Sequence, residues 1–472
     1  VGTVLVFSSG ALIGGQGSFV ARFAPESIYY FIAFPFARRT VPLIGFPALF
    51  LFFGFVWKFL SAQNRKTKIF SATLSVFSFT FLVYSYFYLW TAAAAWFGAL
   101  VIFWLIFRFE DWRKTVIPLS VFGVILLAVL VPYFVLLANR AETMDAVQLL
   151  VSTRQPDLWR IPEIIGFVVV AGFVFAEIFG WIDWREPKII FLLSFALVAP
   201  VVFNQQIITG SSLQPIHYQF YGVNYITAFA LIAFGFTLLS KNLNRRAFNV
   251  ILILLGLFAL YIGYSDGQFA VKKMRGTNVW RDDLMPVAQK IKAISQNAEK
   301  VSTVLSFDFY PYTLLSSEFS INCSDELPAL SSQAVLWSPH QKVFSDLTPE
   351  ESRNRLFKFI YYQNFDGKWL KNELQKGKSE LITGFFGWGR NSDVLNGSNK
   401  PVTDEEIDEV VARYEQFQQN FDYEDARTLT LSYIIVHEAA LPVLSTVDKW
   451  YERDAGEKVG KFILYRVKLR NL

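Results

Sequence analysis

Asn204 to Gln219 is the part of this chain richest in side chains that could do chemistry. It reads Asn204-Gln-Gln-Ile-Ile-Thr-Gly-Ser-Ser-Leu-Gln-Pro-Ile-His217-Tyr-Gln219 and lies between two apolar runs. Amides, hydroxyls and an imidazole are the groups that hydrogen-bond sugar hydroxyls or a phosphate, so Gln205, Gln206, His217 and Tyr218 are candidate substrate-binding residues. Irregular backbone at membrane depth is tolerated only where it lines a cavity or is covered by protein. A plainer reading stands beside this one, in which Asn204, Gln205 and Gln206 cap a helix end.

Two other polar stretches carry candidates. Residues 139–163 contain Arg154-Gln-Pro-Asp157-Leu-Trp-Arg160. There Arg154 could contact a pyrophosphate in bidentate fashion and Asp157 could activate an acceptor as general base; the alternative is a salt-bridged turn around Pro156. Residues 10–42 mix Arg22, Glu26, Arg38 and Arg39 with Phe and Tyr. That composition suits a segment touching headgroups or a lipid-linked phosphate, or simply a solvated loop held by an aromatic belt. Glu177 lies inside an apolar run, where a carboxylate is a functional candidate by default.

Other chemistries lack their signatures. There is no Gly-rich phosphate loop ending in Lys-Ser or Lys-Thr, no Gly-x-Gly-x-x-Gly and no Gly-x-Ser-x-Gly. His437-Glu438 begins like a zinc-protease motif, but its second histidine would fall at Leu441. Three histidines and one cysteine, Cys323, give no basis for a metal centre or an intrachain disulfide. No cofactor can be named.

The elements that must position these loops are membrane spans. Only 18% of the 472 residues are charged, against about 25% in ordinary soluble domains. From Leu43 to Ser265 the charges form short clusters between apolar runs long enough to cross a bilayer. Eight spans are predicted, near 43–61, 70–88, 91–107, 116–138, 164–182, 189–203, 225–240 and 247–264, with a helical hairpin turning near Trp90 and Thr91. Val1 to Ser9 reads as the tail of a further, partial helix, and the chain as a piece whose upstream helices are missing. The expected organisation is a transmembrane domain over 1–264, a linker over 265–278 and a soluble α/β domain over 279–472.

Orientation follows from the basic residues. Arg65, Lys66 and Lys68, then Arg108, Arg113 and Lys114, then Arg185 and Lys188, then Lys241, Arg245 and Arg246 occupy alternate connections. Short basic loops stay cytoplasmic, which puts the Trp90 turn, residues 139–163, residues 204–224 and the C-terminal domain outside. Loop 139–163 departs from the pattern with Arg140, Arg154 and Arg160, although Asp145, Asp157 and Glu163 sit beside them. The net charge of +5 thus serves topology and is no nucleic-acid footprint.

In the tail, Leu284, Val287, Ile291 and Ile294 mark an amphipathic helix over 280–298. Strands are predicted at 301–306, 334–337, 431–436 and 462–467. Thr348-Pro-Glu-Glu351 is a capping box that opens a helix, and Asp404-Glu-Glu opens another, running to about Phe421.

Leu327-Pro-Ala-Leu-Ser-Ser-Gln-Ala-Val-Leu-Trp-Ser-Pro-His340, the Thr348 helix start, Leu431-Ser-Tyr-Ile-Ile-Val436 and Phe462-Ile-Leu-Tyr-Arg-Val467 are similar to segments of uncharacterised bacterial members of the GT-C superfamily of multi-span glycosyltransferases. The arrangement of many spans, outer loops and an outer C-terminal α/β domain resembles that superfamily too. The resemblance implies a bacterial inner-membrane protein that transfers a sugar from a polyprenyl-phosphate donor at the outer face, with membrane lipid as its surroundings. The superfamily's catalytic acid sits in the first outer loop, upstream of where this chain starts, so no catalytic residue is carried over. The rival classes are a transporter or flippase-like carrier, which matched broken spans in two halves would favour, and a non-catalytic anchor presenting a recognition domain.

Overall fold

The computed structural model describes residues 1–472 except 16, 24–41, 109, 111, 141–149, 214, 296–301, 310–322, 332, 341–346, 388–389, 391–400, 441 and 472. Two compact units are present, Val1–Arg140 with Val151–Lys272, and Ala141–Leu150 with Lys273–Leu472.

The first unit is helical. Among the described residues, seven helices are long and apolar enough to cross a membrane: Arg65–Ser85, Phe87–Phe107, Arg113–Ala138, Ile161–Ile178, Pro187–Thr209, Pro215–Asn242 and Arg245–Lys272. They correspond to seven of the eight expected spans. The remaining one, Gly45–Ser61, has 17 residues and so a length of about 26 Å at 1.5 Å per residue, slightly short of a bilayer core of about 30 Å. The N-terminal stretch forms the short helices Gly2–Ser8 and Gly10–Ile13.

The hairpin between 65 and 107 turns at Tyr86 and not at Trp90 and Thr91. Tyr86 alone takes extended backbone angles, φ −159° and ψ 116°, between the two helices. Trp90 is buried inside the second helix, its ring edge-on to Phe87 at 5.6 Å and Tyr133 at 5.6 Å. Aromatic residues at a membrane boundary suggest a turn from sequence, but here they pack across helices instead.

Helix contacts in this unit depend on small residues as well as large ones. A Cβ on Gly166 would lie 2.5 Å from the backbone oxygen of Ala196. Neither helix could give way there, so only glycine permits this approach, as at other small-residue interfaces in membranes. Phe52, Phe53, Trp96, Phe191 and Phe195 form a continuous buried aromatic core.

The linker expected at 265–278 is helical: one helix runs unbroken from Arg245 to Ser295. Lys272, Lys273 and Arg275 are good helix formers and no proline falls in that stretch. A change from apolar to polar composition alters what surrounds a helix without ending it.

The second unit contains strands. With β1 (Leu150–Ser152) and β2 (Ser211–Leu213) forming a separate pair, its sheet uses β3 (Thr303–Ser306), β4 (Ala334–Val335), β5 (Leu431–His437), β6 (Tyr451–Arg453), β7 (Glu457–Val459) and β8 (Phe462–Leu469). The order is β4-β3-β5-β8-β6, with β7 also on β8. The β3 strand pairs parallel to both β4 and β5, and β8 runs antiparallel to β5, β6 and β7. All four predicted strands are present. Trp280, Leu284, Val287 and Ile291 from the long helix bury against Val304, Ile435, Phe462 and Leu464. The capping box forms as predicted, Glu351 N–H donating to Thr348 Oγ1 at 3.2 Å and Thr348 N–H to Glu351 Oε2 at 2.8 Å. A second one, Thr403 with Glu406, starts helix Asp404–Asn420.

Lys358 is the notable charge in this unit's core. Its ammonium donates to the carbonyls of Asp425 and of Thr428, the latter at 2.7 Å, and lies over the Phe421 ring. Burial pushes it down from 10.5 to about 8. Below that pH the folded protein carries a charge that the unfolded chain would hold more comfortably in water. Stability should therefore rise between about pH 8 and 10.5, as the folded state sheds its proton first. The Lys358→Met variant is expected to lack this part of the rise when melting temperature is followed against pH. Identical slopes for the two proteins would contradict it.

Candidate functional site

Residues 154–163 and 204–221 come together at one end of the helical unit. Arg160 is the centre of this arrangement. Its Nε donates to Asp157 Oδ2 at 2.7 Å, and its Nη1 to Gln219 Oε1 at 3.3 Å. Its guanidinium lies 5.3 Å from the centre of the Phe203 ring. The Arg160 backbone N–H donates to Glu163 Oε2 at 3.0 Å, and Asn204 Nδ2 to Glu163 Oε1 at 2.7 Å. Asn204 Oδ1 accepts from the Asp157 N–H at 3.0 Å, which ties the two loops together. The side chains of Asp157 and Arg160 are 0% and 12% exposed. Removing ions from water costs several kcal/mol each unless they are paired and hydrogen-bonded, and here they are.

The remaining sequence candidates surround this network. Arg154 does not face Asp157; its Nη1 donates to the carbonyls of Ile207 and Ile208 at 2.8 and 3.0 Å, capping the helix Gln206–Thr209. Arg154 is otherwise exposed. Gln205 Nε2 donates to the Ser211 carbonyl and Gln206 Nε2 to the Gln155 carbonyl. The buried Gln206 Oε1 has no hydrogen-bond partner among the described residues. The loop is further held by β1 pairing with β2 and by Thr153 N–H donating to the Gly210 carbonyl.

His217 and Tyr218 belong to an aromatic cluster built around Tyr86 and the first turn of helix Phe87–Phe107. Tyr218 meets Tyr88 edge-on at 4.8 Å and shares a 3.1 Å hydrogen bond with Thr91 Oγ1. His217 packs against Tyr88 at 5.1 Å and Tyr221 at 5.2 Å, with Nδ1 3.5 Å from the Tyr86 hydroxyl. Phe203 joins the cluster to the charge network, its ring 6.5 Å from Tyr218. Gln219–Val223 is a π-helical turn inside the spanning helix, a distortion frequent at functional sites. It carries Gln219, which reaches Arg160.

Trp159 is a second irregularity. It has φ +75° and is 76% exposed. A bulky residue in the left-handed region costs on the order of 1–3 kcal/mol, and such strain clusters at functional sites.

Arg22 lies in the N-terminal segment, its guanidinium 5.6 Å from the centre of the Tyr261 ring. Asp266 anchors that segment by accepting from Ser18 N–H at 2.7 Å and Ser18 Oγ at 2.6 Å. Gly15, at φ +71°, takes the left-handed conformation that favours glycine, and a Cβ there would meet the Ile161 Cδ1 methyl at 2.3 Å. The segment is thus packed next to the start of the Ile161 helix. Glu26, Arg38 and Arg39 fall outside the described residues.

Glu177 is far from this network along its helix. Its Oε2 accepts from the Trp184 N–H at 3.0 Å and secures the turn after the helix. The basic connections gather there: Arg108 Nη1 donates to the Arg185 carbonyl at 3.1 Å, Arg185 lies 3.8 Å from Glu110, and Lys241 3.7 Å from Glu186. The turn explains Glu177 without a functional role.

Sequence reasoning named Asp157, His217 and Tyr218 but missed the parts of Glu163, Asn204 and Gln219 in the charge network and of Tyr86 and Tyr88 beside His217. The Arg160-x-x-Glu163 spacing at a helix start was the available signal for one of them. The others depend on which helices meet. Among the described residues, no group of three or more His, Cys, Asp or Glu residues could hold a metal ion. No protein-family model matches the chain, and no curated protein matches it.

Proposed function

We propose that this end of the bundle binds a polyprenyl-phosphate-linked sugar and that the protein is a glycosyltransferase-like membrane protein working at the outer face. The observation that carries the reading is the shared location of the Asp157–Arg160–Glu163 network and the His217–tyrosine cluster. Ion pairs buried at the end of a span are costly to maintain, and amides and phenols beside them are suited to sugar hydroxyls. Exposed Arg154 is the phosphate contact in this reading, and Trp159 the aromatic face for the sugar or headgroup. Four basic connections at the opposite ends of the spans support an outer location by the positive-inside rule. In a transfer the acceptor oxygen would bond to the sugar's anomeric carbon and give its proton to a base. The bond from that carbon to the phosphate oxygen would break, and the lipid phosphate would leave with the electron pair.

The test is incubation of the reconstituted protein, expressed with whatever coding sequence precedes this chain, with radiolabelled polyprenyl-phosphate sugars. Transfer from at least one donor is expected. Arg154→Gln should lower kcat/KM by about tenfold or more, the worth of one charge-assisted hydrogen bond. Absence of transfer across a broad donor panel, beside an active control enzyme, would defeat the reading.

A second reading rests on the hydrogen bonds that tie Arg160 and Glu163 to Asp157, Gln219 and Asn204, which suit a fastening role. The chain is then a non-catalytic anchor for its strand-containing unit. Binding of no lipid-linked sugar in the same reconstituted preparation would favour it.

A further inference from the structure

Helices Pro349–Tyr362 and Asp404–Asn420 of the second unit border an open cleft of about 430 Å³. Its size falls within the range of small-ligand sites. Each helix contributes residues at i, i+3, i+4 and i+7, so the lining side chains form one stripe on each. The floor is aromatic, with Phe357 buried and Phe417 half-buried, their rings 5.6 Å apart. Two guanidinium groups stand above it, Arg353 from one helix and Arg413 from the other. Arg413 pairs with Glu409 one turn back on its own helix, where both side chains are more than half exposed. No ion pair joins Arg353 to another described residue. Asn354, Gln416 and Asn420 complete the walls, with Glu350 as the single carboxylate.

We infer that this cleft binds an acidic saccharide, that is, a sugar ring bearing a carboxylate or phosphate. Each amide offers a donor and an acceptor, which matches the double character of a sugar hydroxyl. The guanidinium groups match a planar carboxylate or a phosphate in bidentate geometry. The half-buried Phe417 ring suits the C–H face of a pyranose ring, which a phosphorylated peptide would not present. Two arginines meet one carboxylate in the lining, and Glu409, just outside it, holds Arg413, so an anion's contacts are Arg353 and the remaining N–H groups of Arg413. Nothing in this inference rests on the membrane-end site: it concerns binding alone, and the transferase assay could fail without touching it.

The experiment uses the full chain in phosphatidylcholine nanodiscs, titrated calorimetrically with a glucuronate-containing disaccharide, with cellobiose, with glucose 6-phosphate and with inorganic phosphate. Saturable binding of the acidic disaccharide or the sugar phosphate is expected, at least tenfold tighter than that of cellobiose or inorganic phosphate. Which of the two acidic sugars binds more tightly tells carboxylate from phosphate preference. Arg353→Gln and Arg413→Gln should each weaken it by about tenfold, whereas Arg427→Gln, on an exposed pair outside the cleft, should not. Melting curves on each variant check that it is folded; Arg413 is exposed and Arg353 partly so. No binding of either acidic sugar, equal binding of inorganic phosphate, or unchanged affinity in both cleft variants would overturn the inference.

Discussion

Replacing Arg160 with methionine is expected to destabilise the helical unit by about 3–5 kcal/mol, while replacing Arg160 and Asp157 together costs much less. The single change leaves the fully buried Asp157 carboxylate without its cationic partner, 2.7 Å away in the intact protein. A carboxylate stranded in this way must be protonated or hydrated, and either requires the 154–163 loop to loosen. The double variant, Asp157→Asn with Arg160→Met, removes both charges and keeps the backbone bond from residue 157 to Asn204. Thermal melting in detergent for the wild type, both single variants and the double variant closes the cycle. Strong non-additivity, with the double variant more stable than Arg160→Met, is the expected result. Simple addition of the two single effects would mean that the pair is not coupled.

Trp96→Ala should be comparably costly, by about 3–5 kcal/mol, as large buried aromatic truncations are. Trp96 is fully buried, with Phe53 at 4.6 Å, Phe195 stacked at 5.0 Å, Phe191 at 5.3 Å and Phe52 at 5.8 Å. Lipid tails are as apolar as this core, so transfer from water contributes little within the membrane. The cost is lost dispersion and the hole left among four rings. Trp96→Phe tests that explanation. The indole N–H has no hydrogen-bond partner among the described residues, so phenylalanine loses some contact but removes an unsatisfied donor. It should cost less than about 1.5 kcal/mol, again by melting. A Phe variant as unstable as the Ala variant would show that shape alone governs the site.

Both predictions concern groups whose importance the sequence displays unevenly. Trp96 lies in an apolar run, and its burial at the meeting of three helices could not be read from that run. Asp157 was visible as a carboxylate beside arginines, yet Arg154, the expected phosphate ligand, caps a short helix, and Arg160 takes the carboxylate. Three residues of loop separate these outcomes. The choice between them was made by Asn204 and Gln219, which arrive from more than forty residues further along the chain.

Apolar run length, the basic clusters between runs, the four strand patterns and the Thr348 capping box were determined by the sequence itself, because each depends on neighbours within a few residues. Hydropathy acts on a whole helix, and a cap acts within one turn. What the tertiary structure alone decided is where the hairpin turns, at Tyr86, and which polar residues share a network. Those outcomes depend on contacts between distant segments. There, packing against a partner helix or pairing of a buried charge outweighs the small local preferences that sequence patterns record.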